Sequence, residues 1–340
     1  MTRRIAINGF GRIGRVAFRI IAERIKQGNS DIVVSAVNDL TDIKTLAHLL
    51  KYDSVHGRFK GHIEVKGQEI IVDGQAISVS AERDPTKLSW KAKEIDVVLE
   101  STGFFLGRDQ AMKHVEAGAK KVLISAPSSG QAPDATICYG VNNQDFKPSM
   151  QVVSTASCTT NCIAPIAKII NDNFGIEKAS VTTVHSYTND QHVLDLPHSD
   201  LRRARAAALS MIPTTTGAAK AIALVLPELQ GKFDGMAIRV PTADVSLIDL
   251  VALVKKDTSA EELNSLFKDG AKNTFKGILG YSDEPLVSVD MIGTNESSIV
   301  DGLSTKVLGG NFVKILAWYD NEWGFANRAV DLLSLMSKSC

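Results

Sequence analysis

An α/β fold is predicted for this 340-residue sequence: a doubly wound, mostly parallel sheet first, then a second, α+β domain with a mixed or antiparallel sheet. Three observations predict it. From residue 4 to residue 125, β-type apolar runs alternate with stretches of helical apolar spacing, as in parallel strands joined by crossover helices. A glycine-rich turn, Gly9-Phe10-Gly11-Arg12-Ile13-Gly14, joins the first strand-like run to the first helix-like one. Beyond residue 157 the texture changes to alternating runs separated by turns. At 44% hydrophobic and 22% charged, the chain can bury a large core and is long enough for two domains.

Taken in order, Arg4–Asn8 reads as a strand and the pattern through Val16, Ile20, Ile21 and Ile25 as a helix. The spacing G-x-G-x-x-G between them is what a Rossmann-type dinucleotide site needs. One glycine makes the tight turn, one leaves bare backbone for a pyrophosphate, and one permits close helix-strand contact. Ile32–Val37 is the second strand and ends at Asn38-Asp39. An acid there can hydrogen-bond both hydroxyls of an adenosine ribose, although it could also cap the helix that follows. No Arg or Lys follows Asp39 directly, so NAD is expected rather than NADP. Residues 42–51 read as helix, and 61–80, with its Asp73-Gly74 turn, as a small antiparallel excursion. Strands over 95–100 and 121–125 flank a helix over 108–117. This places Ser101-Thr102-Gly103 and Ser125 at carboxyl strand ends, where such sheets hold ligands. Thr136–Tyr139 and Gln151–Thr155 read as short strands.

At Ser154-Thr155-Ala156-Ser157-Cys158 a strand turns into a helix. A thiol at a helix N-terminus meets the positive end of the helix dipole and unpaired N–H groups, both of which favour a thiolate. A buried, inert thiol is the competing reading. Val181–Tyr187 is strand-like and carries His185, a candidate base for a thiol or structural in its own right. A long loop over 188–208 contains Leu196-Pro197, Arg202, Arg203 and Arg205, and ordered loops of that length carry function or an interface. Met236–Val240, Val245–Lys256, Leu286–Val289 and Phe312–Trp318 read as strands, 259–269 and Phe325–Met336 as helices. The expected domains are 1–156, with a C-terminal helix at about 321–340 packing back on it, and 157–320. A dinucleotide site followed by an activated thiol suggests aldehyde oxidation through a thioester.

Lys plus Arg equals Asp plus Glu at 38 each, and no basic run marks a nucleic-acid or membrane surface. No signal-peptide pattern or apolar span of bilayer length is seen, and four cysteines are too few for a disulfide framework. The expected location is the cytoplasm. Cys158 and Cys162, one helical turn apart, lack the second ligand pair of a zinc site, so no metal is expected.

Asn8–Arg15, Leu50–Ser54, Ser157–Cys162, His185–Gln191, Asp200–Arg205 and Trp318–Gly324 together resemble phosphorying-type members of one family across nearly the whole chain: the phosphorylating glyceraldehyde-3-phosphate dehydrogenases. The resemblance implies Cys158 as nucleophile and His185 as its base, with NAD held by Gly9, Gly11, Arg12, Ile13, Gly14, Asp39, Arg83, Ser125 and Asn321. It implies two anion sites. Thr188 and Arg239 match the one for the phosphate of glyceraldehyde 3-phosphate. Ser157, Thr159, Thr216, Gly217 and Arg203 match the one for attacking inorganic phosphate. It also implies a homotetramer in which the loop at about 187–209 approaches a neighbour's cofactor. Erythrose-4-phosphate dehydrogenase shares much of this plan and stands as the alternative within the class. A non-catalytic redox sensor or a thiol protease accounts for fewer of the residues.

Overall fold

The computed structural model describes residues 2–340 and forms two compact units. The first takes the chain to Ile137, then Asn143–Ala156 and Ala326–Cys340; the second takes Cys138–Asn142 and Ser157–Phe325.

In the first unit β1 (Arg3–Asn8), α1 (Arg12–Lys26), β2 (Ile32–Asn38) and α2 (Ile43–Lys51) are followed by a two-strand ribbon, β3 (Tyr52–Asp53) and β4 (Gly57–Arg58). Then come β5 (Ile63–Lys66), β6 (Glu69–Val72), β7 (Gln75–Ser80), β8 (Val97–Glu100), α3 (Arg108–Glu116), β9 (Lys121–Ile124), β10 (Ala135–Thr136) and β11 (Val152–Ser154). The nine-stranded sheet has the order β10-β11-β9-β8-β1-β2-β7-β6-β5. It is parallel from β10 to β7 and antiparallel through β6 and β5. Ile5, Ala6 and Ile7 are all fully buried, as they must be in a central parallel strand covered on both faces. The excursion over 61–80 is therefore more than a hairpin, because its last strand, β7, extends the main sheet beside β2. The strand expected over Thr136–Tyr139 is reduced to Ala135–Thr136; the chain turns at Cys138–Val141, where Asn142 Oδ1 accepts from the Cys138 N–H.

The second unit holds α4 (Cys158–Phe174), β12 (Ile176–Ser186), β13 (Ile212–Thr215), α5 (Ala218–Ala221), β14 (Phe233–Val240), β15 (Ser246–Val254), α6 (Ala260–Lys272), β16 (Leu279–Ser282), β17 (Ser298–Leu308) and β18 (Phe312–Tyr319). Its seven strands are ordered β13-β14-β12-β15-β18-β17-β16, with parallel pairs at β12/β14 and β16/β17 and antiparallel pairs elsewhere, so the sheet is mixed. β15 alternates buried and half-buried residues along its length, the mark of one face on a core. α4 is buried from Thr159 to Ile170 apart from Lys168, and its last turn reaches the surface at Asp172 and Asn173. The last helix, α7 (Trp323–Ser337), belongs to the first unit from Ala326 onward. There Asn327 and Asp331 bind the Arg24 guanidinium of α1 and Ser334 binds Asp31.

Leu286–Val289 is not a strand. Pro285 and the Asp290 carboxylate, which accepts from the Val287 N–H, hold it as a single helical turn over Ser288–Met291, with Leu286 and Met291 packed beside Val245 and Ile299. β17 was not expected. Its sequence carries Asp301, Gly302, Ser304 and Lys306 without alternation, and the ladder shifts register between Asp301 and Lys306. Among the described residues no helix is long and apolar enough to cross a membrane.

Candidate active site

In the first unit, the glycine turn lies between β1 and α1. Gly9 has φ +90°, and a Cβ there would lie 2.7 Å from the Ser101 carbonyl carbon. A Cβ on Gly14 would fall 2.3 Å from the Gly9 carbonyl oxygen. Gly11, the N-cap of α1, has open space where its Cβ would project, and α1 has neither a side-chain cap nor an acid in its first turn. These three positions form a bare backbone cradle at the positive end of a helix, which fits the pyrophosphate of a dinucleotide.

Asp39 does not cap α2; that task falls to Asp42, whose carboxylate accepts from the Thr45 N–H at 3.0 Å. The Asp39 carboxylate instead accepts from the N–H groups of Phe10 (2.8 Å) and Thr41 (2.9 Å), fixing it beside the glycine turn. Arg12 makes a two-pronged contact with Asp53, at 2.5 and 3.2 Å. Burial pushes the Asp53 carboxyl up, but the His56 and Val55 N–H groups and the Arg12 guanidinium outweigh it and bring it down to about 2. Asp53 is thus a partner that fixes Arg12, a role its motif alone did not reveal. Ser125, buried at the end of β9, donates to the Glu100 carbonyl at 3.0 Å. Ile13 is half-buried in the first turn of α1, and Arg83 lies exposed in the loop after β7.

In the second unit, Ser157 is the N-cap of α4: its hydroxyl accepts from the Thr160 N–H at 3.0 Å and meets the Thr160 hydroxyl at 2.7 Å. The cap fixes the first turn, so Cys158 begins the helix with its Sγ 3.6 Å from His185 Nε2 and 4.0 Å from Thr159 Oγ1. His185 stands near the end of β12 and is buried. Its Nδ1 faces both the Ser186 carbonyl oxygen at 2.7 Å and Arg239 Nη1 at 2.9 Å, and its Nε2 faces the thiol. Arg239, paired with His185 in the β12/β14 register, donates to the same carbonyl at 3.1 Å.

Burial, then the Arg239 charge, then that of Arg203, bring the His185 imidazole from its ordinary 6.5 down to about 3. Burial pushes the Cys158 thiol up, and Arg239 and the helix N–H groups pull against it without prevailing. The helix N-terminus favours an anion at this sulfur and burial opposes it. Desolvation favours the neutral thiol beside a neutral imidazole, with the base already oriented to receive the proton.

Two cations frame this pair. Arg239 carries a buried Nε with no partner, a donor set for an anion. Arg203 is held by Thr214 (3.0 Å), Asp190 (2.5 Å) and the Thr215 carbonyl (3.2 Å). These holders were not evident from sequence. Thr216 accepts from the Ala218 N–H and Gly217 precedes α5, with open space where a Cβ would go. Thr188 lies half-buried three residues beyond His185, its N–H on Gln191.

Thr159 is buried, its hydroxyl 2.8 Å from Tyr319, which also meets Thr183 at 2.8 Å. Tyr319 belongs to a motif that sequence reading singled out but assigned no task. The Asn321 side-chain oxygen accepts from Ser186 (2.8 Å) and Ser246 (2.7 Å), which leaves its amide nitrogen as the donor. Cys162 is buried against Ser298 at 3.3 Å, and burial pushes its thiol up further than any partner can lower it.

Residues 3–108 match the glyceraldehyde 3-phosphate dehydrogenase NAD binding domain and residues 157–321 the glyceraldehyde 3-phosphate dehydrogenase C-terminal domain. The chain is 58% identical over 335 residues to glyceraldehyde-3-phosphate dehydrogenase of Thermotoga maritima, covering 98% of this chain and 99% of that one. It is 56% identical over 339 residues to glyceraldehyde-3-phosphate dehydrogenase 1 of Bacillus subtilis, and 56% over 338 to the Geobacillus stearothermophilus enzyme, covering 99% of both partners in each case. With matches of that extent over both halves, the chain belongs to the glyceraldehyde 3-phosphate dehydrogenase family.

Proposed function

We propose that this chain oxidises D-glyceraldehyde 3-phosphate with NAD and inorganic phosphate, giving 1,3-bisphosphoglycerate and NADH through a thioester on Cys158, as a glycolytic and gluconeogenic enzyme. The observation that carries the reading is the Cys158 Sγ to His185 Nε2 contact of 3.6 Å at the start of α4, in a family whose first half binds NAD. The thiol proton passes to Nε2 as sulfur attacks the aldehyde carbon, and from there to the new hydroxyl of the hemithioacetal. Nε2 then takes that hydroxyl proton back as the C–H bond breaks and the carbonyl of the thioester forms. Bound NAD supplies the hydride acceptor. Phosphate attack on the thioester returns the thiolate, which recovers the proton from His185.

Thr188 and Arg239 would hold the substrate phosphate, the unpartnered Nε of Arg239 being the supporting feature. Thr216, Gly217 and Arg203 would hold the attacking phosphate. Ser157 and Thr159 hydroxyls already have protein partners, and each can donate to a phosphate oxygen when Thr160 or Tyr319 is the donor in the contact they share. The relatives named above all carry the glyceraldehyde-3-phosphate name, which favours that substrate over erythrose 4-phosphate. The chain is read as a cytoplasmic homotetramer. Val193, Leu194, Leu196, Leu201 and Leu209 lie exposed along the loop over 187–209, as an interface between copies would have them.

NADH formation from glyceraldehyde 3-phosphate, NAD and phosphate tests the reading. Without phosphate, a burst near one NADH per site followed by a slow rate is expected, with rapid turnover on adding phosphate. A full steady rate without phosphate, yielding the free acid, would overturn it.

A further inference from the structure

The loop between β12 and β13 carries a set of side-chain bonds around Arg203. Its guanidinium donates from Nε to the Thr214 hydroxyl at 3.0 Å, from Nη1 to Asp190 Oδ2 at 2.5 Å and from Nη2 to the Thr215 carbonyl at 3.2 Å. Three of the five N–H hydrogens of the guanidinium are used in this way, and one remains on each terminal nitrogen. That pair is the fork a phosphate takes. A carboxylate suits the same fork, and two carboxylates stand beside it.

Both are turned away from it by other bonds. Asp200 Oδ2 accepts from the Thr214 hydroxyl at 2.6 Å and Oδ1 from the Arg202 N–H at 2.9 Å, while Oδ2 lies 3.6 Å from Arg203 Nε. Asp190 stands in a turn closed by the Gln191 N–H on the Thr188 carbonyl (2.9 Å) and the Thr188 N–H on Gln191 Oε1 (3.3 Å). Its Oδ2 meets Arg203, and its Oδ1 faces His198 Nε2 at 3.4 Å. His198 is oriented in turn by Asp200, whose N–H donates to Nδ1 at 2.8 Å and whose carbonyl oxygen lies 3.1 Å from the same nitrogen. With Nδ1 the acceptor in that nearer contact, the ring proton is on Nε2 and is given to Asp190. Burial pushes the Asp190 carboxyl up, but the bonds from Arg203 and His198 outweigh it and hold it below the usual carboxylate range. It is an anion that Arg203 attracts.

An arginine and a carboxylate without other ties pair through two parallel bonds. Asp190 makes one, because its second oxygen is held by His198. Resting on the reading of Arg203 as a holder of the attacking phosphate, we infer that His198 is a positioning residue for that step: it keeps Asp190 from closing on both terminal nitrogens of Arg203 and so leaves the fork open to inorganic phosphate. Asp190 anchors the guanidinium, and His198 sets how much of it the anchor takes.

The test is His198→Ala, which releases Asp190 Oδ1. The value of kcat/KM for phosphate is expected to fall about tenfold. The burst of NADH from glyceraldehyde 3-phosphate and NAD without phosphate should keep its wild-type amplitude and rate, since that stage does not use the fork. His198→Gln, whose amide N–H can donate to the same carboxylate, should stay within about threefold of wild type. The decisive variant combines His198→Ala with Asp190→Asn: an amide cannot take both terminal nitrogens through two oxygens, so removing the competitor should recover most of the loss with phosphate. Wild-type kcat/KM for phosphate in His198→Ala, an equal fall in the burst, or a double variant no better than His198→Ala alone would overturn the inference. If His198→Ala does not fold, His198→Leu, which keeps the bulk, carries the same comparison with the same loss expected, and wild-type use of phosphate would overturn the inference. A wild type whose turnover ignores phosphate, or an Arg203→Ala variant with unaltered use of phosphate, would instead defeat the phosphate reading of Arg203 itself.

Discussion

The cofactor cradle of the first unit and the thiol site of the second are built from opposite materials. The cradle is made by what is missing, glycines whose Cβ atoms would strike Ser101 or the Gly9 carbonyl. The thiol site is made by what is present, side chains from α4, β12 and β14 brought within bonding distance across a mixed sheet. One tolerates trimming and resists additions; the other should do the reverse.

The largest expected effect follows from the thiol. Cys158→Ala should abolish oxidation while leaving NAD affinity and fold intact, whereas Cys162→Ala, whose thiol is buried on Ser298, should remain active. Turnover by the Cys158 variant would remove the nucleophile assignment. His185→Asn should lower kcat by about 10² to 10⁴, the usual scale of general-base catalysis, and slow alkylation of Cys158 at neutral pH. An unchanged alkylation profile would leave His185 a structural role only.

Additions test the cradle. Gly14→Ala should lower stability by about 1–3 kcal/mol through overpacking on the Gly9 carbonyl and weaken NAD binding, yet leave alkylation of Cys158 in the free protein as it was. A smaller effect is expected from Asp39→Ala with a nearby Arg, which should shift preference toward NADP by removing repulsion of a 2′-phosphate. A wild type using both cofactors equally would contradict that account of Asp39.

The subtlest difference is one of pH. His185 titrates near 3 when folded and near 6.5 when unfolded, so between those values the unfolded chain holds the extra proton. Its contribution is fully present above pH 6.5 and lost as pH falls toward 3. Between pH 7 and 4.5 the wild type should lose about 2–3 kcal/mol more stability than His185→Asn. Parallel urea midpoints for the two proteins would count against a buried neutral imidazole.

Legibility in the sequence followed the same division. Gly9, Gly11, Gly14 and Asp39 are close along the chain, so a local pattern announced them, and the parallel strands around them are continuous apolar runs. Cys158 was legible because a strand-to-helix boundary is local too. The Arg203 clamp of Asp190, Thr214 and Thr215 and the Tyr319 bridge between Thr159 and Thr183 join residues that only folding brings together. β17 escaped notice because a register shift breaks its alternation, and Leu286–Val289 misled because alternation without a partner strand is not a strand. The balance at Cys158 was illegible for a related reason: helix dipole is read locally, desolvation is not.

The chain passes between its two units at four places, after Ile137, Asn142, Ala156 and Phe325. A fragment cut at the obvious boundary, residues 1–156, would therefore lack Ala326–Cys340. It would leave Arg24 without its partners Asn327 and Asp331 and Asp31 without Ser334, and it would lose the buried Val330, Leu332 and Leu333. Such a fragment should be aggregation-prone, and supplying residues 326–340 on a Gly/Ser linker should improve its solubility. For anyone transplanting the dinucleotide module into another protein, the portable unit is two pieces of chain, the second from the far end.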